Sequence, residues 1–184
     1  MCLACSWYPS ADNPYYGIFV HEFARRIRRA GAEVFIFTAS HSGADKESDK
    51  KDGISVFRVK LSPQNPNPFR LLSFFEVFRK ADIIHVHAVD IFGAISTLVA
   101  KSIGKPVVIT LHRADVLPTS SLLFNLLRIL ALRTTDVAVA VSDATRNLAL
   151  SVGAPKNKVV VVYNAVNESI FTPRSRNLCR SKLR

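Results

Sequence analysis

DIIHVHAVDIFGAISTLVAKSIGKPVVITL, residues 82–111, contains a complete strand–helix–strand unit. Its two ends, DIIHVH (82–87) and PVVITL (106–111), are short Val/Ile-rich runs with apolar residues at both odd and even positions. A strand alternates its side chains between two faces, so a run apolar on both belongs in a parallel sheet sandwiched by helices. Phe92–Ile103 is long enough for the crossover helix. Gly104 follows it, where the left-handed residue beyond a helix end is cheapest without a Cβ.

The same alternation extends outward in both directions. LACSW (3–7), VFIFTA (34–39) and ISVFRV (54–59) precede the unit, and DVAVAVS (136–142) and VVVVY (159–163) follow it. Helical patterns at Ile18–Arg29, Phe69–Arg79, Ser121–Leu132 and Asp143–Val152 fall between most of them, with Gly31 and Gly153 just beyond two. The pattern predicts an α/β fold: a doubly wound, Rossmann-like parallel sheet of about seven strands with helices on both faces. SHSGADKESDKKDG (40–53) is polar and charged, and reads as a surface loop between the second and third strands.

At 184 residues and 48% hydrophobic, the chain has the size and apolar content of one domain, expected over residues 1–173. The net charge of +11 favours anionic partners, and five of the basic residues lie in the acid-free tail RSRNLCRSKLR (174–184). Arg25, Arg26, Arg28 and Arg29 crowd one short helix. No aromatic-and-basic strand platform or recognition-helix motif accompanies the charge, which argues against nucleic acid. Three cysteines do not form a paired framework, and no charged n-region leads into an apolar h-region. Cys2 and Cys5, three apart on one strand, face opposite sides. These features point to the cytoplasm. FRLLSFFEVFR (69–79) and LLFNLLRILALR (122–133) are apolar around most of their circumference; sheet-covering helices read this way, and so do helices that touch lipid at the inner face of a membrane.

In an open parallel sheet, ligands bind in the crevice outside the strands' carboxyl ends. Polar residues gather there: SWYPSADNPYYG after the first strand, HAVD after the fourth, HRAD after the fifth and SD after the sixth. HRAD presents His112, Arg113 and Asp115. Arg113 and Asp115 also suit a surface ion pair.

The stretch WYPSADNPYYGIFVHEFARRIRRAGAEV (7–34) resembles the opening of family 4 glycosyltransferases. DIIHVH, VVITLHRAD and VAVAVSDATRNLALSVGAPKNKVVVVYNAVNESIFTP continue that resemblance in order, over nearly the whole chain. The resemblance implies half of a GT-B fold, in which two Rossmann-like domains face each other across a cleft. It further implies sugar transfer from a nucleotide sugar, such as a UDP- or GDP-sugar, to a glycan or lipid-linked acceptor, with retention of configuration and without metal; no D-x-D is present. Donor binding belongs mainly to a C-terminal domain carrying an E-x7-E motif. On this reading the chain is the N-terminal acceptor-side domain, inactive alone, and residues 174–184 are a linker toward the absent domain.

Carried over by position, His112 matches the family histidine that reaches the donor sugar, and is the expected catalytic residue. Gly17 matches the first-loop glycine, where backbone N–H groups approach the donor diphosphate. The pattern departs from the family at Tyr16, Arg113 and Ala165, where glycines are usual, and at Asn167, where aspartate is. His87, Arg113, Asp115, Ser142 and Asn164 are expected to line the cleft or touch the acceptor; Ser142 also suits a helix N-cap. A different reading rests on His85 and His87. Positions i and i+2 share a strand face, so two imidazoles there suit a metal-dependent hydrolase, although further ligands are not evident. A third is a non-catalytic basic domain on an anionic membrane or nucleic acid.

Overall fold

The structure, a computed structural model, describes residues 1–41, 45–60, 70–166, 168 and 171–182. Phe69, Asn167 and the last two residues of the basic tail lie outside these. Among the described residues the strands are β1 (Cys2–Cys5), β2 (Phe35–Ser40), β3 (Ser48–Lys51), β4 (Ile54–Lys60), β5 (Ile84–His87), β6 (Val107–Leu111), β7 (Val137–Ala140) and β8 (Val159–Val161). The helices are α1 (Ile18–Arg29), α2 (Arg70–Arg79), α3 (Ile91–Ser102), α4 (Leu122–Thr134), α5 (Asp143–Ser151) and α6 (Arg176–Lys182). One sheet runs β3-β4-β2-β1-β5-β6-β7-β8, parallel except for β3. Strand order reverses between β1 and β5, and the crevice a doubly wound sheet offers its ligand opens there.

The seven expected strands are present. β3 is additional and falls in the segment expected to be loop. SDKK pairs antiparallel with β4 and closes that edge with charged side chains, a common protection against further strand pairing. The basic tail contains helix α6, its described residues exposed except for a half-buried Cys179.

The two faces of the sheet are covered unequally. On one, α2 to α5 bury Phe74, Val77, Phe78, Phe92, Ala131, Leu132 and Ala149 against Ile84, Val86 and Ile109. Each fully buried Phe there contributes on the order of 1.5–3 kcal/mol by leaving water. On the other face α1 lays Val20 and Ala24 on Leu3, Cys5, Ile36 and Val56. Cys2 and Cys5 therefore sit in separate cores on opposite faces, both free thiols, with Cys5 pushed up to about 12 by burial. Beyond α1, the same face of β6 to β8 carries half-buried Val108, Val137 and Val139 and exposed Val160.

Helix ends follow the sequence signals. Ser121, Ser142 and Asp90 cap α4, α5 and α3 by accepting backbone N–H groups of Phe124, Thr145 and Gly93. Gly31, Gly104 and Gly153 all take positive φ beyond their helices. No described helix is long and apolar enough to cross a membrane.

Candidate functional site

Strand register builds the first part of the site. Parallel pairing sets Leu3 beside His85 and Cys5 beside His87, and sets His87 beside Thr110 on β6. His112 leaves β6 two residues after Thr110, on the same side. The three imidazoles form a row: the His85 and His87 rings stack with centroids 4.6 Å apart and 12° between planes, and His87 and His112 at 5.9 Å and 19°. Helix α1 roofs them. Phe23 meets His85 and His87 edge-on, each at 5.2 Å, and Phe19 meets His112 at 4.9 Å.

His85 Nε2 bonds Thr110 Oγ1 at 2.7 Å. Both nitrogens of His87 and Nε2 of His112 are buried with no hydrogen-bond partner. Burial, reinforced by its neighbour His112, pulls His85 down to about 4. His87 is pulled well down by burial and then by both neighbouring imidazoles; His112 is lowered by burial, with Asp115 opposing. The row is neutral at physiological pH. Its rings stack face to face instead of aiming nitrogens at one point. Among the described residues no group of three or more His, Cys, Asp or Glu side chains is arranged to hold a metal ion.

Helix α1 brings Gly17 to the same crevice. Gly17 is the α1 N-cap, left-handed at φ 64°, and a Cβ there would stand 2.1 Å from the Trp7 carbonyl oxygen. Both the conformation and the close approach require glycine. Phe19, two residues on, packs its ring edge-on against His112, so the positive end of the α1 dipole lies near the histidine. Phe19 is itself half in water, and the His112 ring it meets has a buried Nε2 with no hydrogen-bond partner.

Asp115 does not pair with Arg113. Its two oxygens accept backbone N–H groups of Val89 and His112, each at 2.9 Å, joining the loops after β5 and β6. Burial raises its pKa, partly offset by those two hydrogen bonds. Arg113 is exposed and left-handed at φ 77°, a backbone geometry that favours glycine. Arg128, buried on α4, donates to the Leu117 carbonyl and pins the far end of this loop. Ser142 and Asn164 follow β7 and β8 further along the edge. Ser142 Oγ serves as the α5 cap, and Asn164 is exposed.

Two features were not anticipated from the sequence. Tyr8 donates to His21 Nδ1 at 2.6 Å, and His21 Nε2 bonds Asp52 at 2.9 Å, which assigns the tautomer and ties the β1–α1 loop to the β3–β4 turn. Trp7 stacks on His41 at 3.8 Å and 13°, and His41 Nε2 is held by the Ser6 carbonyl at 2.6 Å. Trp7 and Tyr8 lie in the polar stretch after the first strand, so their position at the edge was readable. Their partners, 34 and 13 positions away, were not.

The chain belongs to Glycosyltransferase Family 4, whose model matches residues 17–170. No curated protein sequence matches it. Among solved structures it is similar to sucrose-phosphate synthase from Thermosynechococcus elongatus, with TM-score 0.67 at 15% identity over 100% of this chain and 52% of that one. Anabaena Alr3699/HepE in complex with UDP and glucose matches with TM-score 0.67 at 14% identity, over 99% and 49%. UDP-GlcNAc 2-epimerase from Methanocaldococcus jannaschii matches with TM-score 0.55 at 14%, over 88% and 45%. The glycosyltransferase neighbours are GT-B proteins, and the α/β sheet described here is one Rossmann-like half of that fold. The chain spans about half the length of these structures.

Proposed function

We propose that this chain is the acceptor-side domain of a retaining glycosyltransferase that transfers a sugar from a UDP- or GDP-sugar and needs no metal. The donor diphosphate lies against the start of α1 at Gly17, and His112 contacts the transferring sugar. The observation that carries this reading is the meeting of α1 with His112: a left-handed glycine opens the helix, and its first turn ends over a neutral imidazole whose Nε2 lacks a partner. A buried polar atom left unpaired is costly, and a sugar hydroxyl would satisfy it once the Phe19 ring turns aside. The complexes of the Anabaena protein with UDP and with UDP-glucose support a nucleotide-sugar donor. His87, Arg113, Asp115, Ser142 and Asn164 remain cleft-side candidates, with Asp115 acting through the loop it fixes.

Alone, the chain should leave UDP- and GDP-sugars unconsumed, because most of the groups that grip the nucleotide belong to a C-terminal domain reached through the linker of residues 174–184. Joined to a compatible donor-binding domain it should transfer sugar, in the presence of chelator as in its absence. His112→Ala should then lose about 10²-fold or more in turnover at unchanged melting temperature, the scale of removing one well-placed transition-state donor. Unchanged turnover would make the histidine structural, and transfer abolished by chelator would overturn the metal-independent reading.

A peripheral contact with an anionic membrane is favoured by one further observation. Leu122, Leu123, Leu126 and Leu130 on α4, together with Leu117 before it, are 47–73% exposed, and α4 begins at the edge where the site opens. Such a patch suits an acceptor presented at a lipid surface.

A further inference from the structure

We propose that the hollow between the last turns of α1 and the β3–β4 turn binds a small molecule carrying a phosphate monoester, at the opposite edge of the sheet from the histidine row. The hollow, of about 330 Å³, is lined by Arg25, Arg28, Arg29, Asp52 and Ile54. That volume is in the range of small-molecule sites. Ile54, 1% exposed, is its apolar floor and opens β4, whose next residue pairs with Phe35 at the start of β2. These are amino ends of parallel strands, whereas His87 ends β5 and His112 follows the end of β6. The hollow uses none of the residues of the proposed transfer site and does not depend on that reading.

Helix geometry sets the three arginines side by side. Positions 25, 28 and 29 are spaced i, i+3 and i+4, so they share one face of α1, and Arg26 does not line the hollow. The negative end of the helix dipole favours cations in the last turn, but it does so on every face. Gathering three on one face adds like-charge repulsion to the fold. An anion seated between them turns that repulsion into attraction.

The two acids of these elements are engaged with Arg25 and His21. Glu22 accepts Arg25 Nη1 at 2.9 Å, and Asp52 accepts His21 Nε2 at 2.9 Å with Arg25 Nε at 3.9 Å. Neither pairs with the other two arginines. Arg28 Nη1 donates to the Asp52 backbone carbonyl at 2.9 Å, which orients the guanidinium without neutralising it. Gly53 leaves the room for this: a Cβ there would stand 2.8 Å from Arg28 Nη1. Arg29 is exposed and has no hydrogen-bond or ion-pair partner among the described residues. Arg26, Lys50 and Lys51, on the same two elements, add to the positive field.

One oriented and one unengaged guanidinium suit a group with more than one bidentate edge. A phosphate monoester offers three oxygens and nearly two charges, a carboxylate a single edge and one charge. The concave floor suits a small molecule better than a flat lipid surface, and the exposed leucines of α4 lie on the other face of the sheet.

The 184-residue chain should be titrated by calorimetry with inorganic phosphate, glycerol 3-phosphate, pyrophosphate and succinate, at a constant ionic strength of about 150 mM to screen diffuse attraction. At least one phosphate compound should saturate one site per chain with Kd of about 1 mM or tighter, and succinate should bind more weakly. Arg28→Gln and Arg29→Gln should each weaken that binding about tenfold or more, and Arg26→Gln about twofold or less, because only the first two remove a fork that faces the hollow. Should Arg28→Gln fail to fold, Arg29→Gln carries the test, since Arg29 holds nothing in the fold. No saturable phosphate binding would overturn the proposal, as would equal losses in all three variants or succinate binding as tightly as phosphate. Binding untouched by Arg28→Gln and Arg29→Gln would place the anion elsewhere, such as the Gly17 end of α1, and would also overturn it. Vesicles of phosphatidylcholine with phosphatidate offer the same phosphate on a lipid. With Leu122→Asp and Leu126→Asp in place they should leave the chain in solution, and sedimentation that depends on Arg29 would overturn the assignment to a small molecule.

Discussion

Asp115 holds Val89 across 26 residues of sequence: its Oδ2 accepts the Val89 N–H at 2.9 Å while its Oδ1 accepts that of His112. One half-buried carboxylate thus fixes both loops that border the histidine row. The polar HRAD cluster places its aspartate as a clamp and its histidine as the group being clamped. Asp115→Ala should leave two backbone donors short of their partner and cost about 2–3 kcal/mol. Chemical denaturation of the variant measures this, and a loss within 0.5 kcal/mol, roughly the scale of an ordinary surface substitution, would refute the clamp.

Gly17 and Arg113 both occupy left-handed backbone, but only Gly17 is also hemmed in, by the Trp7 carbonyl. Gly17→Ala should therefore lose more than about 2 kcal/mol, or fail to fold. Arg113→Gly should melt at or slightly above the parent, because relief of about 1 kcal/mol of left-handed strain is partly cancelled by the added freedom of the unfolded chain. Thermal melting should place Gly17→Ala well below the parent and Arg113→Gly no lower than it.

Acid should weaken the fold well before its carboxylates are all protonated. His85, His87 and His112 lie below their ordinary value of 6.5 in the folded chain, His85 at about 4. Between those values the unfolded chain binds protons that the folded chain refuses. Stability is therefore complete above about 6.5 and falls as pH drops, by up to about 1.4 kcal/mol per pH unit for each histidine. Asp115, raised by burial, works in the opposite sense nearer its own range. His87→Phe removes two unpaired buried nitrogens and one titration, so urea midpoints between pH 7.5 and 5 should show a shallower slope, about one histidine's share less.

The leucines of α4 give a fourth test. Sedimentation with vesicles containing anionic lipid should carry the chain down, and Leu122→Asp with Leu126→Asp should leave most of it in solution while the melting temperature stays put. Equal sedimentation of parent and variant would remove α4 from any membrane contact.

Where these features were legible, the reason is local. Val/Ile runs apolar on both faces mark buried parallel strands, serines and glycines mark helix ends, and His85 and His87 share a face by the period of a strand. β3 was invisible because SDKK has no apolar pattern; its pairing is dictated by β4, which folds back against it. The addition of His112 to the row depends on β5–β6 register, and the Asp115 clamp on a backbone N–H in another loop, neither of which sequence spacing encodes.

The two ends of the sheet are finished differently. At one, β3 presents Asp49, Lys50 and Lys51; at the other, β8 presents an uncharged valine run with Val160 and the following Val162 about half in water. An unguarded, β-branched margin is a template on which another strand can add. Concentrating or heating the isolated chain should therefore seed polymerisation from β8 and not from β3, and a single lysine in place of Val160 is the gatekeeper that would make the protein practical to crystallise or ship.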